Sequence, residues 1–272
     1  MKAKTYQIRN IIFKIIIAIL IFLFVSIILF IGNGAMEKGA INSKIKAFKN
    51  RAIFVSTHEM NECTINLYKV NANEDYEINE FSKVIDDDFV NNKKIGSKCD
   101  IFLTDRNPLG GYQGAFVRDF VGVFSDFIYL GHTNMVIDNG EKVIESVGLS
   151  DNDGVRIKEN YWIDEMVSRS NKDSLIGCRI KGLNEEKKDI IIEEIKKKEN
   201  LGYNYNIFFS KSNKYYCTDL ITEVVKKVDI KLNYDLFFKT GSDILVSDDI
   251  FIIFYLERVD TKKFDIYYLD ME

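Results

Sequence analysis

The sequence predicts an α+β domain that follows one apolar N-terminal segment. Three observations carry that expectation. Residues 15–32 hold no charged side chain. Two apolar-rich runs flank Asn139-Gly140, the strongest short hairpin signal. Segments 184–200 and 217–228 repeat apolar residues at helical spacing, among shorter runs of strand composition.

The N-terminal segment comes first. "KIIIAILIFLFVSIILFIG" extends back through Ile11 to Phe13, and 11–33 is long enough to span a bilayer with Lys14 snorkelling. Lys2, Lys4, Arg9 and Lys14 stand before or within its start, and Glu37 follows it. The positive-inside rule then places residues 1–10 in the cytoplasm and the C-terminal domain outside. A cleaved signal peptide would have a shorter apolar region and a small-residue cleavage site, for which only "GNGA" offers itself. The expectation is a single-pass anchor in the cell membrane. Residues 34–94 read as a stalk and extension, and 95–272 as the main domain.

Thirty-seven basic and 41 acidic residues give a net charge of −4. A nucleic-acid binder would show a strong basic excess, so nucleic acid is not expected as a partner. Cys63, Cys99, Cys178 and Cys217 form no C-x-x-C pair, so neither a zinc site nor another cofactor is expected. Outside the cytoplasm a disulfide is permitted. Cys63 and Cys99 are nearest in sequence, but sequence assigns no pairing.

Residues 36–50 are polar and compatible with a helix. "RAIFVST" and "TINLYKV" read as strands, and 71–89 as an acidic, irregular surface segment. "CDIFLT" (99–104) reads as a strand, 105–114 as a Pro/Gly loop and 115–127 as a helix. With Asn139-Gly140 as a two-residue type I′ turn, Val136 faces Val143 and Asn134 faces Glu145. His132, Asn134 and Glu145 then share one face, with Glu145 diagonal to His132. Helix 184–200 is capped by Asn184 and buries Ile191, Ile192 and Ile195. "LGYNYNIFF" is an aromatic loop or strand, and "DILVS", "DIFIIFYLE" and "FDIYYLD" read as strands.

"SNKYYCTDLITEVVKKV" carries the chemistry. From Cys217, the apolar residues Leu220, Ile221, Val224, Val225 and Val228 follow at helical spacing, so the cysteine begins a helix on its buried face. A helix N-terminus and an imidazolium both lower a thiol pKa. The chain has only two histidines, His58 and His132, and His132 shares a predicted strand face with a carboxylate. Thiolate, imidazole and an orienting polar group are the parts of an activated nucleophile. Glu145 is the first candidate for the third group and Asn134 the second. The Cys217 N–H, free at a helix start, is an oxyanion-hole candidate, and Tyr215 or Tyr216 a phenolic one.

These stretches resemble the circularly permuted papain-like hydrolases of the NlpC superfamily, in their YiiX/YaeF/YebB-like branch. "GHTNMVIDNGEKVIES" is similar to their "GHxGIVxxxGxxVIEA" strand pair, and "YYCTDLI" to "YYCSELV". "LGYNYNIFF" resembles "G-x-x-YDxxF", "KIGSKCDIFLT" the opening "xxGDIxL" strand, and "LVSDDIF" the late "xxPDDL". His before Cys is the order that permutation predicts. The resemblance spans about 95–251 and implies Cys217 as nucleophile, His132 as base and Glu145 as third residue. Cys99 and Asn134 stand where glycine is usual, and Asn206 where aspartate is, so no substrate follows from it.

The plainer readings compete. A cysteine on a helix's apolar face is commonly packing. His58 in "STHEMNE" reads as a surface residue, and Cys178 as packing on a strand. Three functions remain in view. One is a cysteine hydrolase cutting amide bonds in peptides, including cell-wall peptides. Another is a lipid acyl hydrolase or acyltransferase with the same site. The last is a catalytically silent envelope module that binds a ligand in the old cleft.

Overall fold

The computed structural model describes residues 2–79, 82–104, 131–148, 153–168, 174–206, 211–232 and 239–270. The expected loop 105–114 and helix 115–127 lie outside them, as do Phe208 and Phe209. Helix α1 runs unbroken over Lys2–Asn50, so the apolar segment and the polar stretch after it are one helix. A window within residues 10–50 is apolar and long enough to cross a membrane, and none of it is buried against the rest of the chain. Further along α1, Ile41, Ile45 and Phe48 are buried in the core, so this end of the helix is docked rather than a free stalk.

Next come β1 (Ala52–Met60), β2 (Cys63–Asn71), α2 (Asp75–Asn79), α3 (Phe89–Asn92) and β3 (Ile101–Thr104). They are followed by β4 (His132–Val136), β5 (Lys142–Val147), β6 (Gly154–Glu159), α4 (Trp162–Ser168) and β7 (Ser174–Ile180). Then come α5 (Glu185–Lys196), β8 (Gly202–Tyr203), β9 (Lys214–Tyr215), α6 (Cys217–Val225), α7 (Gly241–Val246), β10 (Ile250–Asp260) and β11 (Lys263–Asp270). Nine strands form one sheet in the order β1-β2-β11-β10-β7-β3-β4-β5-β6. Within this sheet the described pairing of β2 with β11 is parallel and the other neighbours are antiparallel; β8 and β9 pair in parallel as a separate two-stranded sheet. The result is an α+β fold with a large, mostly antiparallel sheet, packed helices and one long apolar N-terminal helix, as a permuted papain-like domain behind such a helix would have. The segment 34–94 contributes β1 and β2 to that same sheet.

Local rules explain most elements. Asn184 accepts the Lys187 N–H at the start of α5, and Ile191, Ile192 and Ile195 are buried as the spacing requires. The acidic stretch 71–89 holds the short helix α2 and ends where α3 begins, and α2 is tied to the chain by a bidentate Arg51–Glu77 pair at 2.7 and 2.8 Å. All four cysteines are free and buried. Three expectations need correction. "DILVS" belongs to a helix, because Thr240 and Asp243 form a reciprocal capping box that starts α7. Cys99 precedes its strand, with a left-handed φ of 71°. The β4–β5 loop is not a type I′ turn: Gly140 has φ 85°, but Asn139 is not left-handed. Four residues make the loop instead, closed by Ile137 N–H to Lys142 O at 3.1 Å and by Asp138 Oδ1 accepting from the Glu141 and Lys142 N–H groups.

The turn differs but the register does not. Asn134 faces Glu145 and Val136 faces Val143. Both strands are buried, and a one-residue slip would turn every inward side chain to the wrong face, so burial fixes the pairing.

Candidate active site

The hairpin delivers His132 and Glu145 together. His132 Nε2 lies 3.0 Å from Glu145 Oε2, with both residues almost fully buried. Cys217 is the first residue of α6, with Tyr216 as an extended N-cap that makes no side-chain capping bond. Helix α6 lays Leu220, Ile221, Val224 and Val225 into the core, each within 1% of full burial. Burial of one such side chain stabilises by roughly 1.5–3 kcal/mol, which seats the helix firmly against β4 and β5. That seating brings the thiol to the start of β4, with Sγ 3.8 Å from Gly131 O. There the His132 imidazole and the Thr133 N–H act electrostatically on the sulfur and favour its thiolate. Nε2 is taken by Glu145, which leaves Nδ1 as the ring nitrogen open to another neighbour.

The electrostatics follow from these contacts. Burial pushes the Cys217 thiol up, but the His132 hydrogen bond and charge, with the Thr133 N–H and the Thr218 hydroxyl, bring it below the ordinary thiol value. Burial alone would depress His132; hydrogen bonds to Cys217 and Glu145 reverse this and push it up to about 9. Burial would raise Glu145, yet His132, Tyr161 and Arg156 hold it well below the usual carboxylate range. All three directions favour thiolate, imidazolium and carboxylate side by side. Two other buried thiols behave oppositely: burial pushes Cys99 up to about 12 and raises Cys178 as well.

Glu145 has partners that the sequence reading missed. Arg156 Nε donates to Oε1 at 2.9 Å, Lys158 Nζ lies 3.7 Å from Oε1, and Tyr161 Oη donates to Oε2 at 2.5 Å. Trp162 is fully buried, its ring centroid 6.0 Å from that of His132. A signal was present: "RIK" sets two cations two apart on a strand, hence on one face. Nothing in sequence says that this strand lies beside Glu145.

The remaining candidates are placed differently. The Tyr216 hydroxyl accepts from the Lys239 N–H at 3.1 Å, and the Tyr215 hydroxyl donates to Ser212 O at 3.1 Å. Both phenols are committed away from the sulfur. Asn134 is fully buried opposite Glu145, and neither of its side-chain polar atoms has a hydrogen-bond partner. Another phenol, near Gly148, is Tyr203, whose pKa is raised by burial and then by the charge of Cys217. Its ring carbon lies 2.7 Å from where a Gly148 Cβ would stand. Gly148→Ala is therefore expected to push Tyr203 off its position. A change in Cys217 alkylation rate of at least severalfold, with unfolding little altered, would register that shift; an unchanged rate would show that Tyr203 has no influence on the thiol. His58 bonds Ser56 Oγ through Nε2 at 2.8 Å, on the edge strand β1, and takes no part in this site.

No family model matches this chain, and no curated protein matches it. Among solved structures, the crystal structure of the metalloprotein YiiX from Escherichia coli O157:H7 aligns with 58% of this chain and 96% of its own. Identity is 12% and the TM-score 0.43. Among the described residues of this chain, no three His, Cys, Asp or Glu side chains are grouped to hold a metal ion.

Proposed function

We propose that this chain is a membrane-anchored cysteine hydrolase that works outside the cytoplasmic membrane on amide bonds, with peptides of the cell wall as a substrate class. The observation that carries the proposal is the buried His132–Glu145 contact at 3.0 Å, with Cys217 at a helix start and its sulfur 3.8 Å from the carbonyl of Gly131, the residue before His132. In this reading residues 1–10 are cytoplasmic, 11–33 cross the bilayer, and the catalytic domain occupies the C-terminal part.

The chemistry follows from the geometry. The Cys217 thiolate attacks the carbonyl carbon, and the electron pair of the C=O moves to oxygen. The Cys217 N–H, in the first helical turn where no intrahelical acceptor exists, donates to that oxyanion. His132 then gives its Nδ1 proton to the departing amine as the C–N bond breaks, which leaves a thioester on Cys217. Now neutral, His132 accepts a proton from water, whose oxygen attacks the thioester. The acid departs and the thiolate–imidazolium pair returns. Glu145 keeps its charge throughout and orients the ring, in the manner of a triad's third member.

Alkylation by iodoacetamide tests this directly, because a small reagent suits a residue only 4% exposed. In the full chain in detergent micelles, Cys217 is expected to label with a midpoint well below the ~8.5 of a free thiol. Cys217→Ala should abolish the fast labelling, and the other three buried thiols should stay slow. A Cys217 that titrates as an ordinary thiol would defeat the proposal. Acylation of Cys217 by an ester probe but not by a peptide would move the assignment to lipid acyl chemistry.

A further inference from the structure

We propose that Arg156 and Tyr161 are positioning residues for the thiol–imidazole pair, fixing the Glu145 carboxylate in the rotation that turns Oε2 to His132. This rests on the paired site proposed above and extends it to the edge strand of the sheet. Glu145 projects from β5, and a free carboxylate there would turn about its side-chain torsions. Each oxygen instead has its own partners. Oε1 takes Arg156 Nε at 2.9 Å, with Lys158 Nζ at 3.7 Å. Oε2 takes Tyr161 Oη at 2.5 Å and His132 Nε2 at 3.0 Å. Rotation would break at least two charge-assisted bonds inside a buried site, where such bonds are strong.

The supply line is short and specific. Arg156 stands directly opposite Glu145 in the β5–β6 ladder, so both side chains share a face. Lys158, two residues on, joins that face, and its Nζ lies 5.1 Å from the Tyr161 ring centroid. Tyr161 lies two residues past β6 and leads into α4, whose Trp162 walls the His132 ring. Segment 154–162 thus brings every described group that bears on Glu145 from the side away from His132. Asn134, the ladder partner on β4, makes no hydrogen bond to the carboxylate. The groups that bear on the Cys217–His132 pair are Glu145 from β5, Trp162 from α4, Thr218 from α6 and the Thr133 N–H of β4, with Tyr203 of β8 sensing the Cys217 charge. Arg156, Lys158 and Tyr161 act one step further out, through Glu145.

A double-mutant cycle separates positioning from packing. The full chain in micelles is alkylated with iodoacetamide across pH as wild type, Arg156→Ala, Arg156→Lys, Tyr161→Phe, Glu145→Gln and Arg156→Ala with Glu145→Gln. Arg156→Ala is expected to raise the Cys217 midpoint by about one unit, a tenfold loss of thiolate at a fixed pH below it. Arg156→Lys should restore most of the loss, and Tyr161→Phe, which keeps the ring, should shift the midpoint the same way by less. In the Glu145→Gln background Arg156→Ala should add nothing, as for two residues acting along one line. Midpoints of Arg156→Ala and Tyr161→Phe that match an activated wild type would overturn the proposal. So would full additivity in the cycle, which would mean that Arg156 acts on the thiol directly. A wild-type thiol of ordinary pKa, indifferent to His132, would instead remove the paired site itself.

Discussion

His132→Ala is expected to raise the Cys217 midpoint by about two units or more and to slow its alkylation at neutral pH about a hundredfold. The reason is an imbalance that His132 alone corrects. Burial opposes the thiolate, and the ring's hydrogen bond and charge are the largest forces on the other side. Without the ring, the Thr133 N–H and Thr218 remain against full desolvation, and the thiol should titrate above the ordinary range. The wild-type profile should show a second change near pH 9, where the imidazolium loses its proton. That change must vanish in the variant; a profile unaltered by the substitution would rule out the pair. Stability carries the same signature. The folded-state pKa of His132 is raised, so its contribution is fully present below the unfolded value of about 6.5 and is lost as pH rises through about 9. For Glu145, held below the carboxylate range, the contribution is present above about 4.3 and is lost as acid protonates it.

Asp100→Ala should destabilise the fold by about 3–5 kcal/mol, the usual cost of leaving a buried charge without its partner. Asp100 is fully buried and Arg179 nearly so. The guanidinium grips the carboxylate through Nε to Oδ1 and Nη2 to Oδ2, both at 2.7 Å. The same carboxylate accepts the Ser97 N–H at 2.7 Å, and the Asp100 carbonyl accepts the Val136 N–H at 2.8 Å. One residue therefore ties β7, the entry to β3 and the end of β4. Since β4 carries His132, the loss should appear both as a lower urea midpoint and as a less reactive thiol. Replacing Asp100 and Arg179 together by apolar residues of similar volume should recover much of the stability, because the lone charge is the costly species. A single-variant loss below about 1 kcal/mol would mean that water reaches this pair.

Much of the site was legible because its parts are local. Cys217 heads a helix whose buried face is written at i+3, i+4, i+7 and i+8, and α6 buries those residues. The diagonal of His132 and Glu145 needed only the hairpin's parity, which the pairing of Asn134 with Glu145 and Val136 with Val143 keeps even with a four-residue turn in place of the expected one. The long apolar helix is likewise a matter of composition and length. Tertiary structure decided what depends on distant neighbours. "DILVS" has strand composition, yet a capping box three residues wide and packing beside α1 make it a helix. Residues 34–94 carry no motif, but β2 finds β11 across nearly 200 residues of chain and joins the main sheet. Arg156 and Lys158 lie on an unremarkable polar strand with Tyr161 two residues past its end, and their role arises only when β6 pairs with β5. The two tyrosines beside Cys217 bond their hydroxyls to Ser212 and Lys239, while the Tyr203 ring packs against Gly148. Periodicity is a property of a segment and can be read from it; the partners of a buried charge are set by strand order, which no segment contains.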